Sequence, residues 1–123
     1  MSAPALLVPV DAPPTVVVER RRFPRSDCNL KAWFQPLGDD PGAAVPATVI
    51  NISRGGIALH ANCRLQPGLL LFVEFQSASQ TQSRKTMVSV VHERRVQLSG
   101  GWIAGCAFAR PLTEFDVEAV LNS

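Results

Sequence analysis

Apolar residues in most of this chain come in short blocks separated by glycine, proline and small polar residues, a spacing that predicts strands rather than long helices. Residues 30–35 form the first block, closed by Pro36 and by a turn-rich loop at 38–42. The β-branched run 47–50 leads into a polar turn at Asn51, and residues 56–61 return from it. Pro67 and Gly68 introduce the heavily apolar run 69–75. A polar tract at 76–83 has loop composition, and residues 85–98 then read as one long strand. Ser99-Gly100-Gly101 is a hairpin signal into a last strand at 102–108. Alternation puts Trp102, Ala104, Cys106 and Phe108 on a bulky face of that strand, and Ile103, Gly105 and Ala107 on a shallow one. The pattern is all-β, an antiparallel barrel or a sandwich.

The two ends read differently. Residues 1–18 hold four of the ten prolines, at 4, 9, 13 and 14, and show no sustained period, which predicts a flexible N-terminal arm. Within it, residues 15–18 have strand composition. Residues 19–123 are expected to form the folded domain. Near the C-terminus Thr113 is placed to N-cap a short α-helix with Glu114 and Asp116 in its first turn. Val117, Val120 and Leu121 fall at helical spacing and can cover one opening of a barrel.

A chain of 123 residues, 46% hydrophobic and 18% charged, suits one compact domain. The formal net charge is only +2, yet four of the ten arginines sit between positions 20 and 25, so a local anion site fits better than a basic coat. Cys28, Cys63 and Cys106 are widely spaced and odd in number. They support neither a disulfide framework nor a zinc site, and read as small buried hydrophobes in a reducing compartment. The apolar stretch 3–10 has no positive flank, is broken by prolines, and falls short of the roughly 20 residues that span a bilayer. A cytoplasmic protein is expected.

Two short strings carry the candidate chemistry. Arg20, Arg21, Arg22 and Arg25 concentrate guanidinium forks, which pair with phosphate, stack on aromatic rings and donate to the O6 and N7 edge of guanine. Pro24 biases Phe23 toward extended backbone, so the run is expected to be loop. Arg21 and Arg25 can then lie up to roughly 13 to 14 Å apart at Cα and still converge on one dinucleotide. A solvated basic segment has the same composition. The second string, Asn51-Ile52-Ser53-Arg54-Gly55-Gly56, has what any tight hairpin connection uses. On the functional reading the Asn51 amide and Ser53 hydroxyl donate to a ligand, and Gly56 keeps the wall flat. Arg54 either joins them or is an ordinary exposed turn residue.

Together the strings form RxxxR (Arg21, Arg25) and [D/N]xSxxG (Asn51, Ser53, Gly56), a pairing that resembles the PilZ family. The resemblance runs from residue 19 to residue 121, and Gly105-Cys106-Ala107-Phe108 is similar to the GxxF near the end of that family's last strand. It implies a small antiparallel six-stranded β-barrel with a short C-terminal α-helix, and cyclic di-GMP as ligand. The implied ligand residues are Arg20, Arg21, Arg22, Arg25, Asn51, Ser53, Gly56 and Gly105. An arginine just before RxxxR, here Arg20, implies two stacked, intercalated ligand molecules, with Arg22 as a flanking contact. Asn51 in place of aspartate removes a carboxylate that can accept from guanine N1 and N2. Residue chemistry by itself reaches only as far as an anionic, guanine-bearing molecule.

Catalysis is not expected. The only imidazoles, His60 and His92, lie in strands without a neighbouring nucleophile and base, and neither GxxxxGK[ST] nor HExxH occurs. No cofactor or metal is called for. The expected function is a receptor in which cyclic di-GMP pulls the arm and its arginine loop against the barrel, changing the surface shown to an unidentified protein effector. One rival is a small basic barrel that binds single-stranded nucleic acid. Against it, tyrosine is absent, aromatics make up only 7% of the chain, and the loops lack basic-aromatic interleaving. The other rival is a ligand-free adaptor of the pilus-assembly type, which typically lacks the two motifs.

Overall fold

The computed structural model describes residues 23–37 and 44–122. Six strands, β1 (Ser26–Pro36), β2 (Val45–Ile52), β3 (Gly56–Ala61), β4 (Leu70–Gln76), β5 (Ser83–Arg95) and β6 (Trp102–Phe108), precede one helix, α1 (Glu114–Asn122). They close into a barrel in the order β1-β2-β3-β6-β5-β4. Every neighbouring pair is antiparallel. Of barrel and sandwich, the chain takes the barrel. The expected arm at 1–18, its strand-like stretch 15–18 and the loop at 38–42 lie outside the described residues.

Alternation along each strand fills the interior. Leu30, Ala32 and Phe34 point inward from β1, Leu71, Val73 and Phe75 from β4, and Ala104, Cys106 and Phe108 from β6. Burying a side chain such as Phe75 or Leu59 contributes about 1.5–3 kcal/mol relative to leaving it in water. Leu112, Val117 and Val120 join the same core, so α1 closes one barrel mouth as the helical spacing predicts. The helix starts at a reciprocal cap. The Asp116 N–H donates to Thr113 Oγ1 (3.0 Å), and the Thr113 N–H donates to Asp116 Oδ2 (3.2 Å). At the other end the Ala78 N–H satisfies the Val120 carbonyl at 2.9 Å.

Three register shifts interrupt the alternation, between Asp27 and Leu30 on β1, Val49 and Asn51 on β2, and Val90 and His92 on β5. Each inserts one residue and so turns the next side chain to the opposite face. Val49 and Ile52 both reach the core because Ile50 takes up the extra position, which leaves Asn51 facing outward. Val91 does the same on β5 and is 58% exposed, so His92 faces outward after inward Val88 and Val90.

Several sequence expectations change, among them the strand starts, since β1 begins at Ser26 rather than at residue 30 and β5 at Ser83 rather than at residue 85. The long strand ends at Arg95 rather than at residue 98, because the Val96 N–H donates to the Gly101 carbonyl (2.9 Å) and the chain turns there. Gly100 and Gly101 allow this turn, with φ of 78° and 84°. Cysteine burial also divides: Cys106 is buried, Cys28 half-buried, and Cys63 exposed.

Candidate functional site

The first strand carries the end of the arginine run to the polar turn. Ser26 pairs with Ile52 and Asp27 with Asn51, so Arg25, immediately before β1, adjoins Ser53. Arg25 is exposed and forms no ion pair among the described residues. Arg20, Arg21 and Arg22 lie outside the described residues. Of the eight residues singled out from the sequence, Arg25, Asn51, Ser53, Gly56 and Gly105 are therefore the ones whose positions can be compared.

Phe23 fixes how the run enters this corner. Its ring packs over Gly55, where a Cβ would stand 3.1 Å from the nearest ring carbon. The Arg54 guanidinium lies 4.6 Å from the ring centroid, a cation–π contact. Arg54 Nε also donates to the Leu112 carbonyl (3.1 Å), and the Leu112 N–H returns a bond to the Arg54 carbonyl (2.8 Å). Arg54 is thus a structural tie between the turn, the segment entering α1 and Phe23, rather than an idle turn residue.

The turn itself is internally bonded. Ser53 is buried; its N–H donates to the Gly56 carbonyl (2.9 Å), and its Oγ accepts from the Gly55 N–H (3.1 Å). A hydroxyl that accepts still has a hydrogen to donate. Asn51 is half-buried and its amide makes no hydrogen bond among the described residues. Gly56 is a glycine for a reason independent of any ligand. A Cβ there would overlap the Cys106 carbonyl oxygen and stand 3.1 Å from its carbon and 3.2 Å from Ala107 Cα. Close approach of β3 to β6 requires it, and its φ is not positive.

Strand register then builds a floor. Asp27, Asn51, Ala58, Gly105 and His92 form one row across β1, β2, β3, β6 and β5. Gly56, Ala107 and Ser89 form the row beside it. The centre of both rows is small, as the shallow face of β6 predicts, with Asn51 on one flank. On the other flank the His92 ring lies on Gly105, where its Cδ2 is 3.0 Å from the position a Cβ would take. The room left by the missing Gly105 side chain is occupied by that imidazole. Phe23 is not among the site residues that the sequence singles out, and His92 reads there as a packing or surface residue. An aromatic between arginines and proline is a visible signal for Phe23, whereas His92 reaches this face only through the Val91 bulge.

The site presents an amide, an imidazole, a hydroxyl and a guanidinium around a flat patch, groups suited to phosphate and purine edges. The model of the PilZ domain matches residues 19–122. The chain belongs to the PilZ domain family. PilZ domains are in general cyclic di-GMP receptors, binding proteins rather than enzymes. The Bacillus subtilis inhibitor of motility MotI/DgrA shares the fold with a TM-score of 0.63 at 23% identity, over 83% of this chain and 48% of that one. This PilZ chain therefore aligns with about half of MotI/DgrA. The PilZ domain of Escherichia coli YcgR, solved with c-di-GMP, has a TM-score of 0.58 at 17% identity, over 73% of this chain and 78% of that one. At these identities the likeness is one of fold. No curated protein matches the chain. Among the described residues no group of His, Cys, Asp and Glu side chains gathers as a metal site.

Burial governs two nearby thiols. It pushes Cys106 up to about 12, and Cys28 up to about 11 with a further push from the Asp27 charge. Cys28 Sγ donates to the Val49 carbonyl at 3.5 Å, behind the Asn51 bulge.

Proposed function

We propose that this domain is a cyclic di-GMP receptor whose arginine loop closes on the ligand against the outer face of β2, β3 and β6. The observation that carries this reading is the pairing of Ser26 with Ile52 and Asp27 with Asn51, which brings the end of RxxxR beside [D/N]xSxxG. The PilZ domain of YcgR, solved with c-di-GMP, supports the choice of ligand. Arg21 and Arg25 supply forks for phosphate and guanine, and Asn51 and Ser53 donate at the floor. Gly56 keeps the floor low, and Gly105 makes room for the His92 ring, which offers a purine a stacking face. Arg20 sets a stoichiometry of two intercalated molecules, with Arg22 flanking.

Each charge-assisted bond contributes about 1.5–3 kcal/mol, which offsets the entropy of ordering the loop. The ordered loop alters the surface offered to a protein effector in the cytoplasm. Calorimetric titration with cyclic di-GMP tests the reading. Arg21→Ala and Arg25→Ala are each expected to weaken binding roughly ten- to hundredfold while leaving the melting temperature unchanged. Wild-type affinity in both variants refutes it.

A further inference from the structure

We propose that the barrel end opposite α1, the tip of the β5–β6 hairpin, docks on an anionic lipid surface. Strand β5 runs from Ser83, beside α1, to Arg95 at the far end, roughly 40 Å of extended chain. At that far end the described carboxylate is Glu93, and it is already spent. Its side chain is 6% exposed, pairs with Arg64 (3.1 Å), and accepts from the Leu65 N–H.

Arg94 and Arg95 are exposed and enter no ion pair among the described residues. Arg95 lies instead over the half-buried Trp102 ring, 5.9 Å from its centroid. Between them and Trp102, Leu98 stands at the apex and is 102% exposed, the most exposed large apolar side chain described. The base of the turn is tied down. The Val96 N–H bonds the Gly101 carbonyl, His60 Nε2 lies 3.2 Å from the Gly100 carbonyl, and a Cβ on Gly101 would stand 2.6 Å from the Ala61 carbonyl oxygen.

An apolar apex ringed by arginines and an indole matches a headgroup interface, where the leucine enters the acyl boundary and the cations remain among the phosphates. A nucleic acid would reward Arg94 and Arg95 but gain nothing from Leu98, so lipid is the partner favoured.

Co-sedimentation of the full chain with vesicles of phosphatidylglycerol and phosphatidylcholine, against phosphatidylcholine alone, tests the proposal without ligand. Partitioning is expected on the anionic vesicles and to fall in high salt. Arg94→Gln and Arg95→Gln are each expected to lower it about fivefold, and Leu98→Ser roughly tenfold. Circular dichroism checks that these surface variants remain folded. Partitioning that all three variants leave unchanged, or that is equal on neutral vesicles, overturns the proposal. So does binding to an oligonucleotide that depends on Arg94 and Arg95, is indifferent to Leu98, and has no vesicle counterpart.

Discussion

Gly56→Ala separates what the polar turn does for the fold from what it does for a ligand. The new methyl would overlap the Cys106 carbonyl oxygen, a backbone atom held in the β3–β6 ladder, where Cys106 pairs with Ile57 between Gly105 and Ala107. Relief requires β3 to move away from β6. That movement threatens the Phe108 N–H to Gly55 carbonyl bond (2.9 Å), the Ser53 N–H to Gly56 carbonyl bond (2.9 Å) and the adjoining Gly56–Ala107 pairing. Two to three backbone bonds at a net value of about 0.5–1.5 kcal/mol each give a loss of roughly 1–4.5 kcal/mol. For a domain of this size that lowers the melting temperature by about 5–25 °C. Gly105→Ala is the control. Its methyl meets the far end of the His92 side chain, which can rotate away at a cost of about 1 kcal/mol or less. Thermal and urea denaturation without ligand should therefore show a large loss for Gly56→Ala and a small one for Gly105→Ala. Calorimetry on the folded Gly105→Ala variant should show weakened cyclic di-GMP binding, because both the methyl and the displaced ring intrude on the floor. A Gly56→Ala protein as stable as wild type would refute the packing argument.

Two further outcomes follow from protonation. The Asp116 carboxyl is held below its ordinary value by the Thr113 backbone N–H, then by the Thr113 hydroxyl and Arg84, whose guanidinium is 3.2 Å away. A lowered folded value means that the cap stabilises the domain above the unfolded value of about 3.9 and that this contribution is lost as pH falls through the folded value. Asp116→Asn should flatten the acid limb of a stability–pH curve measured by urea denaturation; an unchanged limb would contradict the assignment. Thiols should label in two classes, because raised values near 11 and 12 leave Cys28 and Cys106 almost wholly protonated at pH 8, whereas Cys63 is exposed. Mass spectrometry after brief alkylation should find Cys63 modified first, and early modification of Cys106 would contradict its burial.

Local chemistry along the chain was sufficient for the strand count, the C-terminal helix and its Thr113 cap, and the bulky and shallow faces of β6, since alternation and capping act over a few residues. The two motifs were legible for the same reason, each being a short string. Whether the strands close as a barrel or stack as a sandwich is a matter of which edges meet, and short-range patterning does not contain it. The fold also decided the meaning of individual residues. Gly56 reads as a turn glycine until β6 is seen against it, and Arg54 as a surface arginine until Phe23 and Leu112 are placed around it. The bulges at Ile50 and Val91 turn Asn51 and His92 to the face carrying Gly105. A period-two pattern carries no mark of a single inserted residue, because the insertion is stabilised by the opposing strand rather than by its neighbours in sequence.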